Sequence, residues 1–140
     1  GSLALDIVIN NNDPDPIDDY EPFARRRRQD LRELFSAGHG GWYVALDPES
    51  GSVVGACGVV ATGPRGRFQS VATHPEHERR GICRRLVAQA GSDAAARHGL
   101  RDLVIVADTD SPAFGIYESL GFQARERAVG VWRRPQDIPA

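Results

Sequence analysis

A strand, a basic turn and a helix follow one another between Phe68 and Leu86, and together they could bind a phosphate group. The strand is expected to end at Thr73, and the helix to begin at Ile82 behind Gly81. The first amides of a helix lack internal acceptors, and the helix dipole favours an anion at that end. Three arginines add positive charge at the same place: Arg79, Arg80 and Arg84. The segment therefore predicts a diphosphate site, and a solvated basic turn without a ligand is the alternative that composition leaves open.

Composition excludes several other kinds of site. All 17 basic residues are arginine, so the chain has neither the lysine of a P-loop nor a lysine nucleophile. No Gly-x-Gly-x-x-Gly follows a predicted strand, so the dinucleotide-binding fingerprint is missing. The two cysteines and four histidines show no metal-ligand spacing, and we expect no bound metal.

Two segments resemble the signature of the GNAT (general N-acetyltransferase) superfamily. The acetyl-CoA signature of that family is a strand ending Val-x-Val-x-Pro, followed by Gln/Arg-x-x-Gly-x-Gly/Ala at a helix start. Similar to it is the run from Val71 to Pro75 followed by the run from Arg79 to Cys83. The run from Ala113 to Phe122 resembles the second motif, Ala-x-x-Leu-Tyr-x-x-x-Gly-Phe. The two segments stand in the order and spacing of the family, and the similarity covers roughly residues 42–134.

The resemblance implies an acetyl-CoA-dependent N-acetyltransferase that passes the acetyl group directly to an amine in a ternary complex. The implied catalytic residue is Tyr117, because a phenol of pKa about 10 can protonate a departing thiolate of pKa about 8.5. A backbone amide at the end of the Val71–Thr73 strand would hold the oxyanion. The implied acetyl-CoA-binding residues are Val71, Ala72, Thr73, Arg79, Arg80, Gly81, Ile82, Cys83, Arg84, Asp110 and Tyr117.

Three positions depart from the family pattern. Glu78 stands where the signature has Gln or Arg, Cys83 where it has Gly or Ala, and Asp110 where many relatives carry Asn. A carboxylate at Asp110 accepts hydrogen bonds but cannot donate them. These departures favour an alternative function, a non-catalytic acyl-CoA-binding sensor or structural domain, whereas Tyr117 favours catalysis.

No residue is assigned as the general base. Family members often hold a glutamate on the meander strand, where this sequence has Gln69 and Ser70. Deprotonation of the amine would then pass through water, His74, Glu78 or the acidic loop at residues 10–19. The aspartates of that loop could attract a cationic amine or only keep the loop solvated: Asp13, Asp15, Asp18 and Asp19.

Several other polar or reactive residues have structural interpretations. We expect His74 and His77 to be loop residues without a chemical role, and Cys57 to be a core thiol in a Val-rich strand. Cys83 at a helix start could in principle act as a nucleophile, but no base is placed beside it by the motif. The basic run at residues 25–28 is expected to be mostly a solvated helix face.

Hydrophobic periodicity indicates the elements that must position these residues. Alternation at Leu5, Ile7 and Ile9 predicts a half-buried strand. The remaining elements are predicted as a helix at Tyr20–Ser36, strands at Trp42–Leu46, Ser52–Ala61 and Arg67–Thr73, a helix from Ile82 to Gly99, a strand at Leu103–Val106, a helix at Pro112–Leu120 capped by Ser111, and a strand at Phe122–Arg133.

This order predicts an α/β (α+β) fold, with a GNAT-like mixed and mostly antiparallel sheet and helices on both faces. Its central parallel pair, Arg67–Thr73 beside Arg101–Ala107, should splay at the C-terminal ends of the two strands. Residues 3–140 are expected to form a single domain, and Gly1-Ser2 to be a tag remnant. The chain has no Met, which leaves open that it is a piece of a longer protein.

The net charge of −2 argues against a general nucleic-acid binder, and no apolar run reaches the length of a membrane span. We therefore expect a cytoplasmic protein that meets a small-molecule or peptide amine, and neither nucleic acid nor a membrane. A homodimer is left open.

Overall fold

A computed structural model describes residues 2–108 and 110–124. The described helices and strands, in chain order, are α1 (Ser2–Asn11), α2 (Tyr20–Ser36), β1 (Gly40–Leu46), β2 (Val53–Thr62), β3 (Arg65–Thr73), a 3-10 turn (Pro75–His77), α3 (Ile82–His98), β4 (Asp102–Val104) and α4 (Pro112–Ser119).

The four described strands form one mixed sheet in the order β1-β2-β3-β4. The first three make an antiparallel meander, and β4 pairs parallel with β3 after the α3 crossover. Because the parallel pairing joins Arg65–Arg67 to Asp102–Val104, the predicted adjacent parallel pair is present. The predicted mixed fold with helices is confirmed.

Helices cover both faces of the sheet, and two glycines of β2 show how closely they approach. A Cβ at Gly55 would lie 3.4 Å from Leu86 of α3, whereas a Cβ at Gly58 would lie 3.2 Å from Phe35 of α2. The core lies between the sheet and α3, and its buried members are Cys57, Val59, Phe68, Leu86, Val87, Ala90, Ala94 and Tyr117. The core therefore holds α3 firmly against the strands that precede it.

The N-terminal segment is a helix, so the strand predicted at Leu5, Ile7 and Ile9 is wrong. The adjacent residues Leu5 and Asp6 are both buried. A half-buried strand does not allow this, because neighbouring side chains of a strand point to opposite faces. The spacing of Leu5, Val8 and Ile9 equally satisfies one face of a helix.

Asp6 is buried because it pairs with Arg28 of α2. The Arg28 Nε donates to the Asp6 carboxylate at 3.0 Å, and the guanidinium lies 4.6 Å from the centre of the Trp42 ring on β1. Arg28 is thus an exception to the expected solvated face at residues 25–28. The contact fixes α1 and α2 to the first strand of the sheet.

Most of the strand predicted at Phe122–Arg133, from position 125 onward, lies outside the described residues. Its described part, Phe122 to Ala124, forms no strand. The predicted bounds of the other elements agree with the structure to within about two residues, the usual uncertainty of helix and strand ends. No helix in the described part of the chain is long and apolar enough to cross a bilayer.

Candidate active site

The first turn of α3 presents free backbone amides to solvent. Gly81 caps the helix at φ 77°, and no side chain caps this end. The first α-helical hydrogen bond runs from the Arg85 amide to the Gly81 carbonyl at 3.1 Å, so the preceding amides of the turn have no partner within the helix. A Cβ on Gly81 would have no atom within 4 Å. A ligand can therefore approach the backbone here without obstruction.

The charges around this turn favour the binding of an anion. Four arginines surround it: Arg79, Arg80, Arg84 and Arg85. The first turn of α3 holds no acidic residue, and none of these arginines forms an ion pair with a carboxylate in the described residues. Cations at the positive end of a helix dipole are unfavourable, each by roughly 0.3–1 kcal/mol. A bound anion would remove that cost.

The loop before α3 is held in a strained but ordered shape. Arg79 has a left-handed backbone at φ 65°, which is uncommon for a residue with a side chain. The His74 Nδ1 accepts from the Glu76 amide at 3.1 Å, and the His74 and His77 rings meet edge to face. Both histidines therefore have structural roles in this loop.

The edge of β3 becomes open where the parallel pairing stops. Pairing with β4 ends at Arg67 and Val104, while β3 continues to Thr73. A bulge opposite the Ala56–Gly58 segment of β2 interrupts β3, and Ser70 lies there with φ 53°. Beyond the bulge, the edge of β3 at residues 71–73 has no strand partner among the described residues on the β4 side. An extended ligand could pair with it as an added strand.

Tyr117 lies on α4 and is held by the residues that end that helix. The helix begins behind Ser111, whose Oγ accepts from the Ala113 amide at 3.2 Å. Gly121 turns the chain with φ 99°, and Phe122 folds back so that its ring meets Tyr117 and Phe68 edge to face. The conformation at the Gly-Phe pair therefore fixes the buried ring of Tyr117.

Cys83, on the first turn of α3, packs against the core cluster that contains Tyr117. Burial raises the pKa of Tyr117 above its usual value, and the neighbouring Cys83 and Cys57 thiols raise it further. Tyr117 is therefore protonated throughout the physiological pH range.

Burial also raises the pKa of the Cys83 thiol, and the nearby Tyr117 and Thr73 hydroxyls offset part of that rise. The thiol is thus neutral at pH 7, which does not suit a nucleophile.

Arg84 has a partner that the sequence did not indicate. Its Nε donates to the Ser119 Oγ of α4 at 3.2 Å, so this side chain bridges the two helices that carry Cys83 and Tyr117. Arg80 lies beside the His77 ring at 3.4 Å. Both guanidinium groups remain exposed beside the turn.

Other predicted residues lie outside this cluster. Asp110 is exposed in the loop before α4, where its amide donates to the Asp108 carboxylate at 3.0 Å. Glu78 is exposed at the end of the 3-10 turn. The four aspartates of the loop between α1 and α2 are also exposed: Asp13, Asp15, Asp18 and Asp19. In the described residues, no group of three His, Cys, Asp or Glu side chains could hold a metal ion.

A groove of about 670 Å³ lies between the start of α3 and the turn between β1 and β2, and Gly81 and Ile82 are among its lining residues. Its lining mixes cations and carboxylates, and includes Arg80, Arg85, Asp47 and Glu49. Hydrogen bonds from Glu49 and Ser50 hold the pKa of Asp47 below its ordinary value. The mixed charges give this groove no clear preference for an anion.

Comparison with known proteins places these features in a family. The profile of the acetyltransferase (GNAT) domain family matches residues 38–124. The sequence has no significant match among curated proteins.

Similar solved structures include a GNAT-family protein from Bordetella pertussis, with a TM-score of 0.73 and 19% identity over 92% of this chain and 82% of that one. A Trypanosoma brucei acetyltransferase has a TM-score of 0.66 and 17% identity over 94% and 91% of the two chains. An aminoglycoside N-acetyltransferase in complex with CoA has a TM-score of 0.62 and 18% identity over 79% and 87%. At these identities the likeness concerns the fold.

Proposed function

The chain belongs to the GNAT acetyltransferase family, and on this basis we propose that it is an N-acetyltransferase that uses acetyl-CoA and transfers the acetyl group directly to an amine. The observation that carries the proposal is the first turn of α3. Its amides and its exposed arginines, which form no ion pair within the described residues, lie near the open edge of β3 and the buried side chain of Tyr117. Together these features match an extended diphosphate ligand with a reactive end.

The described residues fit such a ligand at both ends. Open space over Gly81 lets a diphosphate reach the amides of the α3 turn, and the surrounding arginines balance its charge. The open edge of β3 supplies backbone donors and acceptors for the pantetheine arm. The proposed contact set is Val71, Ala72, Thr73, Arg79, Arg80, Gly81, Ile82, Cys83, Arg84, Asp110 and Tyr117.

Acetyl-CoA supplies a thioester whose acetyl group is transferred and whose sulfur leaves. The backbone amides at the end of β3 hold the acetyl oxygen. The Tyr117 hydroxyl, which its environment keeps protonated, gives a proton to the departing sulfur. Gln69 and Ser70 at the β3 bulge offer no carboxylate, so the routes for the amine proton are water, His74, Glu78 and the aspartates between α1 and α2. A C–N bond replaces the C–S bond, and Tyr117 regains its proton from solvent.

The acceptor is proposed to be a small-molecule or peptide amine. One structural neighbour is an aminoglycoside N-acetyltransferase, which supports an amine as the acceptor class. The exposed aspartates of the loop between α1 and α2 provide negative charge that attracts a cationic amine. We further propose that residues 3–140 form one domain, and both free cysteines accord with a reducing, cytoplasmic setting.

A second candidate function is a non-catalytic acyl-CoA-binding domain. The observation that favours it is the absence of a carboxylate at the β3 bulge, where Gln69 and Ser70 stand. Turnover of acetyl-CoA against a panel of amines separates the two functions. Thiol release with at least one amine supports the enzyme, whereas tight CoA binding without turnover supports the binding domain.

The role of Tyr117 is tested by Tyr117→Phe, which removes the proton donor and keeps the ring. We expect kcat to fall by a factor on the order of 10²–10⁴ if proton transfer is in the slow step, while CoA affinity changes little. Tyr43→Phe is the matched control, because Tyr43 is another phenol with a raised pKa, and its hydroxyl donates to Asp93 instead. Full activity of the Tyr117 variant would assign the proton donation to water.

A further inference from the structure

Arg84, at the start of α3, is held in place by a residue of a second helix. Its Nε donates to the Oγ of Ser119, the last residue of α4, at 3.2 Å. Ser119 stands at one of the three positions that the Tyr-x-x-x-Gly-Phe motif leaves unspecified, so the resemblance assigns it no role. The contact joins the helix of the proposed diphosphate site to the helix that carries Tyr117.

The Ser119 hydroxyl is oriented by α4 itself. It donates its hydrogen to the Ile116 carbonyl, one turn earlier in α4, at 2.6 Å. A serine hydroxyl has one hydrogen to donate and two lone pairs that accept. Because the hydrogen is engaged within α4, the lone pairs remain for the Arg84 Nε. The acceptor that holds the guanidinium is therefore fixed to the end of α4.

The dipoles of the two helices favour a cation beside Ser119. The end of α4 is the negative end of its helix dipole, and the last turn of α4 has no basic residue of its own. The start of α3 is the positive end of the other dipole, which repels a cation and attracts an anion. The bond to Ser119 thus keeps Arg84 close to a turn from which its own helix would repel it.

The bond to Ser119 leaves the outer part of the guanidinium available to a ligand. Neither terminal nitrogen of Arg84 has a hydrogen-bond or ion-pair partner among the described residues. Two donors in one plane match two oxygens of a phosphate group. A plane that is held before the ligand arrives lowers the side-chain entropy lost on binding.

We propose that Ser119 is a positioning residue, which orients the Arg84 guanidinium for the diphosphate of acetyl-CoA at the α3 turn. This inference rests on the proposed acetyltransferase function. It goes beyond a surface hydrogen bond between two helices, because it gives Ser119 an effect on the ligand that is transmitted through Arg84. Ser119 itself touches neither the ligand nor the reacting atoms.

A double-mutant cycle with CoA tests the transmission through Arg84. Ser119→Ala should raise the CoA dissociation constant by roughly 3–10-fold in isothermal calorimetry, the value of one modest hydrogen bond. In an Arg84→Ala background, the same change should alter the dissociation constant by less than about twofold. In an Arg79→Ala background it should keep its full effect, because the bond to Ser119 comes from Arg84.

Two further measurements separate positioning from helix packing. Ser119→Thr keeps the hydroxyl and can form the same bond to a carbonyl one turn earlier, so CoA affinity should stay within about twofold. With any amine of the panel that supports turnover, Ser119→Ala should raise KM for acetyl-CoA and change kcat little. Urea denaturation without ligand measures the loss of packing in each variant.

The ribose phosphate of CoA is a second group that a guanidinium could hold. Dephospho-CoA lacks this phosphate and keeps the diphosphate, so Ser119→Ala should weaken both ligands by the same factor. An effect that is present with CoA and absent with dephospho-CoA would overturn the assignment to the diphosphate.

An unchanged CoA affinity in Ser119→Ala would overturn the proposal, even if the variant is less stable in urea. An equal loss of affinity in the Arg84→Ala background would also overturn it. Both results leave the proposed function intact. Failure of the starting protein to bind CoA would instead refute the proposed function, and the positioning role with it.

Discussion

Valine in place of Gly81 should abolish CoA binding while the domain stays folded. The Cβ of any side chain at Gly81 would enter the open space over the α3 turn, where the diphosphate is proposed to lie. Loss of two charge-assisted hydrogen bonds of about 1.5–3 kcal/mol each would weaken binding by a factor on the order of 10²–10⁴. The left-handed φ of 77° adds a cost in stability of about 1–2 kcal/mol, which lowers the melting temperature by roughly 4–8 °C.

The opposite end of the same helix provides a matched control. Gly99 also has a left-handed backbone, at φ 64°, and a Cβ there would also have no atom within 4 Å. Gly99→Val should therefore lose similar stability but keep CoA affinity. Isothermal calorimetry with CoA and chemical denaturation of the two variants give both quantities. Equal CoA affinity in the two variants would refute the placement of the diphosphate on the α3 turn.

Three further outcomes follow from charge and burial. The CoA dissociation constant should rise between about 0.05 and 0.5 M salt. Replacing both Arg79 and Arg84 by Ala should flatten that rise. Calorimetric binding that does not depend on salt in the starting protein would contradict this expectation. Arg28→Met should cost about 2–4 kcal/mol by urea denaturation, because the buried Asp6 carboxylate then keeps only Arg27, at 4.0 Å. Arg25→Met, at an exposed ion pair, should cost under about 1 kcal/mol, and similar losses would disprove the contrast. The free energy of unfolding should fall as pH rises above about 9. Cys57 ionises near 9.0 in the unfolded chain, whereas burial raises its pKa to about 12 in the folded protein. Cys57→Ala should therefore reduce the fall of the unfolding free energy with pH, as measured by urea titrations.

Hydrophobic periodicity was sufficient to predict those helices and strands that bury one face and end at turn residues. The bounds of α2 were predicted because Gly38 ends it with the paired bonds of a Schellman turn, from His39 to Leu34 and from Gly38 to Phe35. The segment around Leu5 was mispredicted because a short apolar run satisfies both helical and strand spacing. The deciding contact, between Asp6 and Arg28, joins residues 22 positions apart, and local pattern does not contain it.

The candidate site likewise has parts that local sequence predicts and a part that it does not predict. The helix start at Ile82 and the place of Tyr117 on α4 follow from local motifs, which report backbone conformation. The packing of Cys83 against the core cluster that contains Tyr117 depends on how α3 and α4 lie against the sheet. Sequence spacing along one element cannot indicate such a contact, because each partner comes from a different element.

The short parallel ladder between β3 and β4 has a consequence for how the molecule folds and opens. The meander of β1 to β3 closes through short turns, whereas β4 reaches β3 only after the whole of α3, and the pairing extends from Arg65 to Arg67. Closing a long loop for few contacts is slow, and the few contacts protect the paired amides little from hydrogen exchange. Amide hydrogens of β4 should therefore exchange earlier than those of β2. A ligand that bridges the gap between β3 and β4 would slow that exchange, so this gap would be both the last part of the domain to form and the part most stabilised by a bound ligand.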